Sequence, residues 1–208
     1  MNPAKIRLSQ TEMELVNNPD LILTKNAILK KVNQLLGSLQ AKQQQFLALH
    51  AAGLPEKVLG SSAKISKGEN YQGLPYRILD YPRFFEHENI FAVRTMFWWG
   101  NFFSVTLHLS GIYKKEEEEK LIASFKTIRE KGYYCYMDED PWEHHFEENN
   151  YVLLSGMSEK DFERSVRERS FVKLVNKISL KQWDNAEEIL QGHFEEIIKI
   201  MADQPPRR

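Results

Sequence analysis

The chain has 208 residues, with 28 Lys or Arg, 29 Asp or Glu and a formal net charge of −1 at pH 7. A chain of this length can bury about 70% of its unfolded surface, so folding needs neither disulfides nor a metal ion. The single Cys135 excludes an internal disulfide framework. The balanced charge is unlike that of a general nucleic-acid binder, and no apolar run approaches the roughly 20 residues of a membrane span. We therefore expect a cytoplasmic protein that forms one domain over residues 1–208 and has neither nucleic-acid nor membrane partners.

The first 52 residues predict a helical arm. Ser9 and Glu12 have the spacing of a capping box, which opens a short helix that ends near Asn17. Apolar residues then recur every three or four positions from Leu21 to Leu47, which indicates one long amphipathic helix. A helix of this kind can pack on a sheet or on a second copy of itself. The expected partners therefore include a second copy of the chain, in a homodimer.

Residues 53–73 lose this periodicity and gain Gly, Ser and Lys, so we predict a loop there. The segment does not match the phosphate-loop pattern GxxxxGK[ST], and a surface connection is the better interpretation. Residues 74–155 predict the sheet with one crossing helix, since Leu121 to Ile128 carry a helical stripe that Lys131 and Gly132 end.

A hairpin over residues 89–112 is the strongest local signal, in a chain that places 19 of its 24 aromatic residues between Tyr71 and Tyr151. Two apolar runs are separated by Gly100 and Asn101, which predicts a two-residue turn. The register that follows places Trp99 opposite Phe102, Phe97 opposite Ser104, Thr95 opposite Thr106 and Val93 opposite His108. Both faces are apolar enough that the sheet is either covered on both sides or receives a partner or ligand on one.

This register assigns Arg94 and His108 to opposite faces of the hairpin. Arg94 interrupts an apolar stripe, so we expect it to pair with a carboxylate, and Asp80 on the preceding strand is the nearest candidate. The alternative is that Arg94 binds an anionic ligand in a pocket. His108 lies among Ser and Thr residues and is either a hydrogen-bonded structural side chain or a proton carrier.

The segment MDEDPWEHHFEENN holds the densest group of potential metal ligands. A helical turn from Pro141 to Glu148 would place His144 and Glu148 on one face. The zinc motif HExxH is absent, and a capped helix start at Asp140 explains the acidic residues without a metal. We therefore expect no metal and no cofactor, with His144, His145 and Glu148 as the candidate ligands if a metal is bound.

The C-terminal part, residues 156–203, predicts helices that follow a last strand from Tyr151 to Leu154. Ser158 opens a charged helix, the apolar residues from Phe171 to Ile178 indicate a further helical stripe, and a final helix covers 184–201.

Three stretches, GENYQGLPYRILDYPR, AVRTMFWWGNFFSVTLHLSG and WEHHFE, resemble an uncharacterised group of small bacterial proteins of similar layout. The resemblance implies no activity, cofactor or catalytic residue.

The predicted architecture is α+β, with an antiparallel sheet of about four or five strands packed by the long N-terminal helix and the C-terminal helices. The first function hypothesis is a non-enzymatic binding or interaction protein, with Trp98 and Trp99 near the hairpin tip as the contact surface for a protein or small-molecule partner. The alternative is a small-molecule enzyme or metal-assisted hydrolase with a pocket near Arg94 and His108.

Overall fold

The computed structural model describes residues 6–50, 52–147 and 150–202, which form an α+β fold with seven α-helices and a seven-stranded antiparallel sheet. The α-helices are α1 Gln10–Val16, α2 Pro19–Leu49, α3 Glu56–Leu59, α4 Gly111–Ala123, α5 Phe125–Glu130, α6 Glu159–Glu168 and α7 Ala186–Ala202. The strands are β1 Lys64–Tyr71, β2 Leu74–Glu86, β3 Asn89–Trp98, β4 Phe102–Ser110, β5 Tyr134–Tyr136, β6 Tyr151–Leu153 and β7 Phe171–Ser179. The predicted fold class is confirmed, with more strands than predicted. Among the described residues, no helix is both long and apolar enough to cross a bilayer.

The helical arm begins as predicted. The Ser9 hydroxyl accepts a hydrogen bond from the Glu12 backbone N–H, and the Glu12 carboxylate accepts one from Ser9, which completes the capping box of α1. Asn18 caps α2 through the N–H of Asp20, with Pro19 at the first helical position. Only the later part of α2 is buried, from Leu29 onward, so the first half of the arm lies outside the core.

The sheet has the order β1-β2-β3-β4-β7-β5-β6, and two of its strands correct the prediction. Strand β1 and the short helix α3 lie in the predicted loop 53–73. Because β1 is an edge strand with largely exposed side chains, it has no apolar alternation to reveal it. Strand β7 lies where a helical stripe was predicted. It is central and mostly buried, and a short apolar run buried on both faces has no period that separates strand from helix.

The predicted hairpin register is wrong by one residue. Trp98 rather than Trp99 faces Phe102, and Trp99, Gly100 and Asn101 form a three-residue connection. The Asn101 N–H donates to the Trp98 carbonyl at 3.1 Å, which closes a four-residue turn from Trp98 to Asn101. Gly100, at the third position of this turn, has a positive φ of 73°, which glycine adopts readily. A shift of one residue moves every β4 side chain to the other face relative to β3. Arg94 and His108 therefore share a face, contrary to the prediction.

One face of the sheet forms the main core with the helices. Phe91, Val93 and Phe97 of β3 and Phe103, Val105, Leu107 and Leu109 of β4 belong to one buried cluster with the apolar residues of α2, α4 and α7. The helices therefore cover this face completely.

The other face is covered by an irregular segment, residues 137–147, which we call the cover segment. A smaller apolar cluster, Ile78, Met96, Trp98 and Phe102, lies on this face with Phe146 of the cover segment packed against it. The same face also carries the polar and ionisable side chains that form the candidate site, among further buried apolar residues such as Ala92, Phe171 and Val175.

Candidate functional site

Four adjacent strands each contribute an ionisable side chain to the covered face, of which Arg94 is partly buried and the other three are buried. Asp80 of β2 pairs in register with Arg94 of β3, and His108 of β4 pairs with Lys173 of β7. Arg94 and His108 point to the same side because Arg94 faces Thr106 in the β3–β4 register, two residues from His108. With His144 of the cover segment, these side chains form what we call the buried polar layer.

Arg94 and Asp80 form the predicted ion pair, in a two-point geometry. Arg94 Nε lies 2.7 Å from Asp80 Oδ1, and Arg94 Nη2 lies 3.0 Å from Asp80 Oδ2. The Asp80 residue is 5% exposed, so both charges are held largely away from water. The paired carboxylate compensates the guanidinium, which explains how Arg94 is tolerated in this stripe.

Arg94 also bonds to His144, because its Nη1 lies 3.2 Å from His144 Nε2. A guanidinium can only donate, so His144 Nε2 accepts and the ring is neutral with its proton on Nδ1. Burial lowers the pKa of His144 well below its usual value, and the positive charges of Lys173 and Arg94 add to this effect. His144 is therefore an uncharged acceptor at neutral pH.

His108 is 6% exposed, and its Nε2 has no hydrogen-bond partner among the described residues. Its ring packs edge-on against Trp142 of the cover segment and against Phe171, with ring centroids 5.8 Å apart in both cases. Burial, together with the charges of Lys173 and Arg94, lowers the pKa of His108 to about 3. A buried imidazole nitrogen with no partner is costly, so it marks an incomplete polar site.

Lys173 is 1% exposed, and the sequence prediction did not include it among the candidate site residues. Its Nζ donates to the carbonyl oxygens of Pro141 at 3.0 Å and Glu143 at 2.6 Å, and it lies 3.9 Å from the centre of the Tyr136 ring. Burial and the nearby Arg94 charge lower the pKa of Lys173 to about 7. A lone lysine within the apolar run FVKLV was the available signal, but the helical interpretation of that run concealed it.

The backbone of the cover segment is bonded to side chains from the rest of the fold. Besides the two bonds from Lys173, Tyr136 donates to the Asp140 carbonyl and Arg169 to the Asp138 carbonyl. The Tyr71 hydroxyl accepts the backbone N–H groups of His144 at 2.7 Å and His145 at 3.0 Å. Without a helix or strand ladder, the backbone groups of the segment find hydrogen-bond partners in these side chains.

Tyr71 also donates to Glu143 Oε2 at 2.7 Å. Burial and this hydrogen bond raise the pKa of Tyr71 to about 12, so the hydroxyl keeps its proton under all physiological conditions. Tyr71 is the last residue of the edge strand β1, so the strand that the sequence prediction missed holds the cover segment in place.

The predicted helical turn from Pro141 to Glu148 is wrong for its described part. Residues 143–147 have no regular structure, and Asp140 Oδ1 accepts the Trp142 N–H at 2.9 Å, a local turn bond rather than a helix cap. Glu148 lies outside the described residues. His144 Nε2 is bonded to a cation, and His145 Nε2 lies 3.3 Å from Glu143 Oε2. Within the described ranges, no three His, Cys, Asp or Glu side chains are grouped to hold a metal ion.

The two tryptophans of the predicted contact surface are not open to solvent. Trp98 is 4% exposed, and its Nε1 donates to the Tyr71 carbonyl at 3.3 Å. Trp99 is partly buried and packs against the main core. The hairpin tip therefore presents no open aromatic surface in this conformation, and the exposed ring near the site is that of Trp142, which is 50% exposed.

No family model, no curated protein and no solved structure matches this chain.

Proposed function

We propose that the protein is a non-enzymatic binding protein for a small anionic molecule, whose acid group is bound by Arg94, His108 and Lys173 beneath the cover segment. The observation that carries the proposal is His108 Nε2, a buried nitrogen without a hydrogen-bond partner in the part of the chain that the structure describes, next to the cationic side chains of Lys173 and Arg94. An oxygen of a carboxylate or phosphate group on a ligand would accept a hydrogen bond from this nitrogen. The cytoplasmic location expected from the sequence is part of the proposal.

The charges of the buried polar layer favour an anionic ligand over a cationic one. Asp80 is paired with Arg94, and the ammonium group of Lys173 forms hydrogen bonds to the neutral carbonyls of Pro141 and Glu143 rather than to a carboxylate. The carboxylates of Asp140 and Glu143 act on it only through longer-range electrostatic attraction. A charged acceptor forms stronger hydrogen bonds to an ammonium group than a carbonyl does. An anion that displaces these two carbonyls would therefore gain both hydrogen bonds and charge neutralisation, at the cost of moving the cover segment.

An enzyme with His108 as a proton carrier has less support. A general base is most effective when its pKa is near the working pH, and the pKa of His108 is about 3. The pKa of Lys173 is about 7, but among the described residues its Nζ forms hydrogen bonds to two backbone carbonyls and to no side chain that could relay a proton. These observations favour binding over catalysis.

Isothermal titration calorimetry with inorganic phosphate and with succinate tests the proposal. We expect saturable binding of one of the two by the wild-type protein, and the preference between them identifies the acid group. Replacing Lys173 with Met should weaken binding at least about tenfold, because hydrogen bonds to charged groups contribute about 1.5–3 kcal/mol.

Lys177 provides the matched control, since it lies four residues along the same strand on the same face and is exposed, with its Nζ over the rings of Phe102 and Phe146. Lys177→Met should bind like the wild type. His108→Asn, with a circular dichroism spectrum to check folding, is a second variant that should weaken binding. Absence of heat with both anions, or equal losses in Lys173→Met and Lys177→Met, would show that the layer is only structural.

A further inference from the structure

The side chains of the buried polar layer carry one positive charge in excess when Lys173 is protonated. Asp80 and Arg94 neutralise each other in their two-point ion pair. His144 is neutral because its Nε2 accepts a hydrogen bond from Arg94, and His108 is neutral because burial lowers its pKa to about 3. The ammonium group of Lys173 bonds to two carbonyl oxygens and not to a carboxylate, so its charge is the one left over.

The other ionisable groups that face Lys173 do not neutralise this charge directly. The rings of Tyr136 and Tyr151 lie 3.9 Å and 5.6 Å from its Nζ, and burial raises the pKa of both hydroxyls, so both rings are uncharged. The carboxylates of Asp140 and Glu143 attract the ammonium group from the cover segment. Asp140 is exposed and the Glu143 side chain is 38% exposed, so water screens both of these negative charges.

We propose that the acid group bound in the buried polar layer is a carboxylate with a single negative charge, an assignment that rests on the proposed function. A buried charge without a partner is costly, so the favoured ligand adds the one negative charge that neutralises the layer. A phosphate group carries about −1.5 to −2 charges at pH 7 and would leave negative charge in excess. His108 and Lys173 face each other across β4 and β7, so the two oxygens of one carboxylate can accept hydrogen bonds from both.

Binding of this carboxylate should be coupled to protonation of Lys173. Burial, followed by the charge of Arg94, lowers the pKa of Lys173 to about 7, so above this pH the free protein loses the ammonium charge. A bound carboxylate raises this pKa again, because a nearby negative charge stabilises the ammonium form. Affinity is therefore highest below pH 7, and above pH 7 it falls by up to about tenfold per pH unit, since binding then requires the uptake of a proton.

Calorimetric titration at pH 7 with malonate and with malonamate tests the charge of the ligand. The second group of each probe is one carbon away and has to enter the layer, as a carboxylate in malonate and as a neutral amide in malonamate. We expect malonamate to bind at least about tenfold more tightly, because malonate buries a second, unmatched charge. Equal affinities, a preference for malonate, or binding of inorganic phosphate alone would overturn the single charge and leave anion binding intact. Absence of heat with malonate, malonamate, succinate and phosphate would instead overturn the proposed function itself.

The affinity for malonamate between pH 6 and pH 9 tests the role of Lys173. We expect the affinity of the wild type to fall above pH 7, and the weaker affinity of Lys173→Met to stay constant over the same range. Lys177→Met is the matched control and should keep the fall seen in the wild type. Circular dichroism of both variants checks folding. A wild-type affinity that does not change with pH, or a fall that persists in Lys173→Met, would contradict the coupling of binding to Lys173.

Discussion

The buried polar layer shows at the scale of single residues how position controls charge. His108 and Lys173 are paired across adjacent strands, and burial lowers the pKa of both, to about 3 and about 7. Both groups lose hydration on burial and lie near Arg94, whose own charge is compensated by Asp80. The fold therefore holds two bases that resist protonation, which is unfavourable for stability at low pH.

We expect His108 to make the protein sensitive to acid. Its pKa is about 3 in the folded chain against 6.5 as the ordinary value, so between these pH values the unfolded chain binds a proton that the folded chain does not. Stability is therefore lost as the pH falls below about 6.5, by up to about 1.4 kcal/mol per pH unit from this group. His108→Asn should reduce the slope of the free energy of unfolding between pH 6.5 and 4.5, measured by urea denaturation. The exposed His50 is the control, and a slope unchanged in His108→Asn but reduced in His50→Gln would refute the assignment.

At the scale of elements, the glycines of α2 and β1 have opposite roles. Gly37 is exposed in the middle of α2, and a Cβ there would meet no atom within 4 Å. Gly68 of β1 lies under the ring of Tyr76, where a Cβ would come within 2.3 Å of ring atoms. The edge strand therefore needs a residue without a side chain at this position so that Tyr76 can lie across it.

Gly37→Ala should stabilise the protein by about 0.5–1 kcal/mol, because alanine favours the helix and nothing obstructs it. Gly68→Ala should destabilise it by about 1–3 kcal/mol, because the ring of Tyr76 must move. Thermal or urea denaturation of the two variants measures both effects. Equal effects of the same sign would contradict this interpretation of the two sites.

At the scale of the whole molecule, the sheet is covered by helices on one face and by the cover segment on the other. The helical face is apolar and is stabilised by burial of the main core. The second face depends on hydrogen bonds from distant side chains, including Tyr71, Tyr136, Arg169 and Lys173. Because the cover segment has no helix or strand ladder, it is held by these hydrogen bonds and by the ring contacts of Trp142 and Phe146.

Removing the Tyr71 hydroxyl should loosen the cover segment. Tyr71→Phe leaves the N–H groups of His144 and His145 without their acceptor, so we expect a loss of about 1–3 kcal/mol in the free energy of unfolding. Amide hydrogen exchange of His144 and His145 should accelerate while the core strands stay protected. Tyr76→Phe is the control, since its ring packs edge-on against Tyr71 at 6.2 Å and is retained in the variant. Unchanged exchange at both amides would show that Tyr71 does not hold the segment.

Parts of the fold and of the site were predictable because their signals are local. The capping box at Ser9, the long helix α2 and the Arg94–Asp80 ion pair all follow from residues near in sequence or from a charge that needs a partner. Lys173 and Tyr71 were missed, because their partners lie 30 or more residues away and neither belongs to a chemical motif. Only the sheet order brings them to the cover segment.

The sequence by itself determined which segments are buried and where most helices begin, because hydrophobic periodicity and capping act within a few residues. The tertiary structure decided which side chains share a face. Arg94 and His108 were predicted on opposite faces, and a register one residue different places them together with Lys173. The two hairpin registers differ by a single residue at the Gly100 turn, and both bury aromatic side chains, so local sequence does not distinguish them. Packing of the whole β3–β4 surface against the helices selects one of them, and that selection creates the site.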